Sequence, residues 1–201
     1  IRQKQCQWPV FQPIGDVSEN QLLMGTSALA MLSESDEPAM QLMAASRFVH
    51  DKVPVIDDAP LFNATRQPPA RLRVGYLSGD FRMHAMGLLI PELLELHDRT
   101  QVELFGFCWS QEDGTDLRQR LLNAMDHHIR IGDLSDLDAA RLIASHDIDV
   151  LVDLQGLSSG ARPAILGYRP APIQVGYLGL PATSAIPGVE YMIADPYVMQ
   201  P

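Results

Sequence analysis

The sequence predicts an α/β protein: a Rossmann-like parallel sheet with helices on both faces, preceded by a small helical segment. Three observations carry this. From Arg71 onward, short apolar runs of strand length alternate with amphipathic helical runs, the pattern of successive βα units. One of these runs, IDVLVDL from Ile148, is apolar almost throughout, as a parallel strand covered on both faces requires. Before Arg71 the texture differs: helical periodicity gives way to a proline-rich stretch. The 201 residues give room for one core and an appendage.

The elements follow in order. Residues 1–20 are irregular. From Gln21 to about His50 the pattern is helical. DEPAMQLMAASRFVHDK begins with an acidic N-cap candidate and Pro38 in the first turn, both start signals. Met40, Leu42, Met43, Phe48 and Val49 are the expected buried stripe. VPVIDDAPLFNATRQPPARLR contains four prolines and no period, so it reads as an extended surface connection. This divides the chain into a helical linker segment, 1–70, and a Rossmann-like lobe, 71–201.

Within the lobe, LRVGYLS is the first strand, and Met86 to His97 reads as one helix with leucines at 88, 89, 93, 94 and 96. QVELFGFCWS is the second strand. DGTDLRQRLLNAM is a helix capped by Asp113 or Thr115, with Leu117, Leu121, Leu122 and Met125 facing inward. HHIRI is a short third strand. In SDLDAARLIAS, Ser135 and Asp138 resemble a capping box. IDVLVDL, PIQVGYLG and VEYMIAD supply the remaining strands. In sheets of this kind functional groups gather beyond the carboxyl ends of the strands. The stretches that qualify are the loop to His84, Asp153–Ser159 and Gly179–Ser184.

Composition excludes several classes. The net charge is −10 with the acids dispersed, which leaves no basic stripe for nucleic acid or for an anionic membrane surface. No apolar run is long enough to span a bilayer. Cys6 and Cys108 are far apart and lack metal-ligand spacing, which points to a reducing, cytoplasmic compartment. No basic-then-apolar leader is visible in these residues, so no secretion signal is expected from them. The chain begins with Ile1 rather than methionine, so a longer parent is expected.

Single motifs leave alternatives open. SGDFRMH is not GxGxxG, and Gly75 with Gly79 is a weak dinucleotide signal. His84 follows the first strand at the start of a helix, whose partial positive charge disfavours an imidazolium. A neutral imidazole there can accept a proton or hydrogen bond from a substrate hydroxyl. Equally, it can be a loop histidine capping a turn. Asp80 carries the same pair of readings. In RPAPIQVGYLGLPATSA, Pro170 and Pro172 force an extended lead-in. Gly179 permits close backbone approach, and the amides near Ala182 to Ser184 form a possible donor nest for a phosphate or sugar oxygen; a plain turn is the alternative. His127 and His128 are adjacent, so on a strand they face opposite ways, and no metal is expected.

Taken together, LRVGYLSGDFRMHAMG, EDGTDLR, IDVLVDLQG, GARPAILGYRPAPIQVGYLGLPATSA and EYMIADPYV resemble the amino-terminal half of the catalytic region of the O-linked N-acetylglucosamine transferases and SPINDLY-type proteins. The likeness covers Arg71 to the end, and extends more weakly to LSESDEPAMQLMAASRF, similar to the linker that follows tetratricopeptide repeats. The resemblance implies the first lobe of a glycosyltransferase B arrangement. It implies an inverting transfer of a sugar from a nucleotide, UDP-N-acetylglucosamine foremost, to serine or threonine hydroxyls of proteins. It implies that His84 meets the acceptor hydroxyl, as base or orienting group. Gly179, Pro181, Ala182, Thr183 and Ser184 would line the donor side. The implied partners are the acceptor protein, a second catalytic lobe and upstream tetratricopeptide repeats, with no metal or other cofactor.

The sequence departs from the family pattern at Ala85, usually proline, at Leu157, usually aromatic or histidine, and at Leu180 and Ala182 of the donor loop, usually tyrosine and glycine. At Ala182 a methyl group is costly if the backbone needs positive φ or close approach to phosphate. The alternatives to O-GlcNAc transfer are a non-catalytic interaction module with a decayed site, or an O-fucosyl- or N-glucosyltransferase of the same family. Half a cleft cannot orient two substrates, so this piece alone is expected to be inactive.

Overall fold

The computed structural model describes residues 5–56, 59–67 and 69–197. Three helices come first: α1 (Glu19–Met24), α2 (Ala28–Met31) and α3 (Pro38–Lys52). Each begins on a recognisable stop-start signal. Ser18 and Gln21 form a reciprocal capping box on α1, Ser27 caps α2, and Pro38 occupies the first turn of α3, where its missing N–H costs nothing. The acidic N-cap of α3 is Glu37, but its carboxylate makes no capping bond. The stripe that α3 buries keeps Val49, with Phe48 packed against the core, but centres on alanines instead of Met40, Leu42 and Met43. Ala44, Ala45 and Val49 are buried, whereas Leu42 is exposed. Small side chains let α3 lie close to its neighbours. The Pro-rich connection that follows is tied down by Arg66, which donates to the Asp147 carbonyl at 2.6 Å and pairs with Asp149 at 2.7 Å.

The lobe contains six strands: β1 (Leu72–Ser78), β2 (Val102–Cys108), β3 (His127–Arg130), β4 (Val150–Asp153), β5 (Ile173–Tyr177) and β6 (Tyr191–Ile193). All pairings are parallel, in the order β3-β2-β1-β4-β5-β6. The helices are α4 (Ala85–Leu89), α5 (Pro91–Leu96), α6 (Asp116–Asn123), α7 (Asp136–Ser145) and α8 (Pro163–Gly167). Two of these differ from expectation. The helix expected over Met86–His97 is two helices. Pro91 has no N–H to continue the ladder, so α4 ends with the Ile90 N–H on the Met86 carbonyl and Pro91 opens α5. The unexpected α8 starts at Pro163 and ends at Gly167 within the GAR motif. On α6 the cap is Thr115, whose hydroxyl accepts from Arg118 N. On α7, Ser135 caps Asp138 N, while the Asp138 carboxylate takes the serine hydroxyl at 2.6 Å.

Alternation along the strands builds two cores. Leu77, Phe105, Phe107 and Leu151 face α2, α3, α7 and α8. Val74, Tyr76, Leu104 and Val152 face α4, α5 and α6. Gly75 sits within β1, where a Cβ would lie 3.0 Å from Phe107 and 3.1 Å from Leu151. Its reason is side-chain packing across the sheet, not a dinucleotide.

Candidate active-site cleft

The strand order reverses direction between β1 and β4. The loops leaving these strands therefore part and open a crevice at their carboxyl ends, where doubly wound sheets hold ligands. The first loop, Ser78 to His84, is held from the β2–α6 side. The Phe81 N–H donates to Ser110 Oγ at 2.9 Å, Arg118 donates to the Phe81 carbonyl at 2.6 Å, and the Met83 N–H donates to Asp113 at 2.6 Å. Arg118 is itself buried and paired with Glu112 at 2.7 Å. The EDGTDLR motif is thus the clamp on this loop. The Met83 and Thr115 amides on Asp113 hold its carboxyl below the usual range.

His84 emerges from the clamp as the N-cap of α4, with extended backbone. Its Nδ1 accepts from the Met86 N–H at 3.3 Å and lies 3.6 Å from Asp80 Oδ2. The imidazole is 44% exposed and the Asp80 carboxylate 12%. Gln155, on the β4 loop, ties the two loops together. Its carbonyl accepts from Gly79 N at 3.0 Å, and its amide donates to Asp80 Oδ2 at 3.0 Å and Ser158 Oγ at 3.1 Å. A buried glutamine making four or more such bonds is a fixed strut. Asp80, Arg82, His84, Ser158 and Gly179, with apolar Leu29, Met86 and Leu154, enclose a cleft of about 450 Å³.

The loop after β5 closes over the β4 loop. Gly179 lacks a side chain because a Cβ would collide with the Leu154 carbonyl and Gln155 backbone. Its close approach is to its own chain rather than to a ligand. Gly179→Ala is expected to destabilise by about 1–3 kcal/mol through overpacking, read as a lower urea midpoint. Positive φ falls at Leu178 and Ala185, not at Ala182, so the Ala182 methyl carries no backbone strain. The Ala182 N–H is bonded to the Leu180 carbonyl at 2.8 Å, which removes it from the expected donor nest. Among the described residues, nothing bonds to the Thr183 or Ser184 amide. Leu180 and Leu157 are buried core residues.

The expected site residues therefore divide. His84 and Gly179 share one cleft. Ala182, Thr183 and Ser184 line a second cavity of about 270 Å³ with Asp153, Gly156 and Tyr191. Pro181 lines a third, of about 340 Å³, with Leu178, Met192 and Asp195. The first stands beyond β1, β4 and β5, the other two beyond β5 and β6. Burial pushes the Asp153 carboxyl up to about 6, against the lowering effect of the Gln155 and Gly156 amides it accepts from. His127 stacks on Phe105 and bonds Glu103 at 2.8 Å, whereas His128 lies toward Arg118 and Glu112. Among the described residues, no group of three His, Cys, Asp or Glu side chains converges on a metal position. Sequence reasoning picked out the stretch Asp153–Ser159 but not Gln155 within it, and missed Ser110. The available signal for Gln155 was a lone amide ending an otherwise apolar strand run. Gln174, in the RPAPIQ motif, is buried and donates to Leu166 and Gly188 carbonyls at 3.0 Å, anchoring the end of the 179–188 loop.

An all-parallel α/β lobe whose strand order reverses between β1 and β4 is a Rossmann-like domain. More particularly, the chain belongs to glycosyl transferase family 41, whose model matches residues 27–201. It is 39% identical over 178 residues to the UDP-N-acetylglucosamine–peptide N-acetylglucosaminyltransferase of Caenorhabditis elegans, covering 84% of this chain and 15% of that one. With the Arabidopsis thaliana protein SEC the identity is 36% over 128 residues, 64% of this chain and 13% of that one. A mutant O-GlcNAc transferase of Thermobaculum terrenum superposes with a TM-score of 0.73 at 28% identity, over 86% of this chain and 33% of that one. The chain thus spans a small part of the length of its relatives. No helix among the described residues is long and apolar enough to cross a membrane.

Proposed function

We propose that this chain is the first lobe of the catalytic region of an inverting protein glycosyltransferase. The complete protein would move N-acetylglucosamine from UDP-N-acetylglucosamine to serine or threonine hydroxyls of proteins. Residues 71–201 form the lobe and 1–70 the helical segment leading into it. The observation that carries the reading is the cleft shared by His84 and Gly179 at the β1–β4 switch point, in a chain of family 41. His84 meets the acceptor hydroxyl, as proton acceptor or orienting group. Thr183 and Ser184, with open amides beside an exposed cavity, suit an anionic or sugar oxygen. Gly179, Pro181 and Ala182 shape the loop that carries them.

The relaxed Ala182 backbone and the buried Leu157 and Leu180 count against a decayed site. A second lobe closes the cleft and supplies most of the nucleotide contacts. Upstream tetratricopeptide repeats and a protein substrate are the further partners, in the cytoplasm, with no metal. The test is direct: the full-length protein, given UDP-[³H]N-acetylglucosamine and a cytosolic protein mixture, should label protein in a form released by alkaline β-elimination. Label that resists β-elimination, or no label, refutes O-linked transfer.

A further inference from the structure

We propose that Asp80 is a positioning residue for His84: its carboxylate accepts a hydrogen bond from Nδ1–H, which leaves Nε2 free to receive the proton of the acceptor hydroxyl and stabilises the imidazolium that forms. This rests on the reading of His84 given above.

The argument starts from two contacts that demand opposite protonation of one nitrogen. The Met86 N–H donates to His84 Nδ1 at 3.3 Å. While it does so, a neutral ring must carry its proton on Nε2, where it cannot accept another. Asp80 Oδ2, 3.6 Å from the same Nδ1, can only accept. It favours the tautomer with the proton on Nδ1, which leaves Nε2 free as a base. Among the described residues, nothing bonds to Nε2. The first contact is the resting arrangement; before Nε2 can act as a base the ring proton must move from Nε2 to Nδ1, by exchange with water, and Nδ1–H then gives up Met86 and donates to Asp80. An imidazolium has no lone pair for Met86, and its Nδ1–H needs an acceptor.

The carboxylate is built to be that acceptor. Gln155 Nε2 holds Oδ2 at 3.0 Å, Arg82 pairs with Oδ1 at 3.2 Å, and the Asp80 N–H is fixed on Ser78 Oγ at 2.9 Å. Each Asp80 oxygen is therefore fixed from outside, and Oδ2 keeps a lone pair toward the ring. The charged groups facing the imidazole in the cleft are Asp80 and Arg82. Arg82 is 42% exposed and already turned to Oδ1, so the carboxylate is the nearer and drier influence on Nδ1. In the transfer, the acceptor oxygen bonds to sugar C1 while the bond from C1 to the diphosphate oxygen breaks. The leaving nucleoside diphosphate keeps that electron pair, and the hydroxyl proton passes to Nε2. Positive charge appears on the ring at that moment, beside an anion already in place. The same logic orients the base in hydrolytic triads.

The test uses the full-length enzyme. Asp80→Asn should lower kcat by about 10²-fold or more while KM for donor and acceptor stays within about threefold. Asp80→Glu should restore part of the loss. The decisive reading is a cycle with His84→Ala: a residue acting through the imidazole costs nothing further once the imidazole is gone. Asp80→Ser is run in parallel, and kinetics are read from whichever variant keeps the wild-type melting transition. Equal costs with and without His84 mean that Asp80 only braces the loop, and overturn the proposal. So does an active wild type whose Asp80 variants match it. A wild type with no transferase activity overturns the underlying functional reading as well.

Discussion

Replacing His84 by alanine in the complete protein is expected to slow sugar transfer by about 10²–10⁴-fold, the range for loss of a positioned proton acceptor. The fold should persist. The imidazole is nearly half exposed, and its contacts are the long bond from Met86 N and the 3.6 Å approach to Asp80 Oδ2. Loss of a cap of this kind costs about 1 kcal/mol or less. The loop does not depend on it: Ser110, Arg118 and Asp113 grip Phe81 and Met83 independently of the ring. Activity and stability should therefore separate in the same sample. Transfer is counted as labelled acceptor at saturating donor, and folding is read from the melting transition. If the melting transition is unchanged and the rate falls less than about threefold, His84 has no part in the chemistry. If His84 only orients the hydroxyl, glutamine at this position should recover a good part of the rate, because its amide offers an acceptor of similar reach. If it takes the proton, glutamine should be as poor as alanine.

The sheet was legible because its pattern rests on burial. A strand covered on both faces must be apolar throughout, and IDVLVDL obeys that rule; so does the alternation of strand and helix around it. What escaped was set by contacts between distant segments. Pro91 breaks a run of leucines that looks continuous by period alone, since the leucine spacing is indifferent to a missing N–H. The stripe on α3 was right at Val49 but misplaced at its start, because hydrophobicity picks methionine and leucine, whereas the helix approaches its neighbours through Ala44 and Ala45.

At the site, His84 could be singled out because it follows a strand. Its supports could not. Gln155 reaches across 75 residues to Asp80, and Arg118 across 37 to Phe81, and no local period announces such a partner. The loop after β5 shows the opposite error. Glycine at 179 was read as room for a ligand, while the room is filled by the Leu154 carbonyl. The position of concern, Ala182, turned out to be relaxed, with the left-handed residues three and four positions away on either side.

The second large effect concerns Asp153 and pH. Its carboxyl is buried at the end of β4 and titrates near 6 in the folded chain, against 3.8 for the unperturbed group. Desolvation of the charged form outweighs the two amides from Gln155 and Gly156 that favour it. A raised acid binds its proton more tightly when folded. Its contribution to stability is thus complete below about pH 3.8 and is lost as pH rises through about 6. The loss amounts to at most about 3 kcal/mol. Asp153→Asn removes the titration but keeps the shape. It also replaces one acceptor oxygen by an NH₂ that faces a backbone N–H, so the variant should be less stable than wild type in acid by about 1–3 kcal/mol. As pH rises from 4 to 8 the wild type alone loses its protonation term, and the gap should close or reverse. Urea denaturation of the two proteins across that range measures the gap directly, and the other carboxylates cancel in the difference. A gap that stays constant would mean that water reaches the carboxyl through the cavity beside Thr183 and Ser184 and solvates its charge.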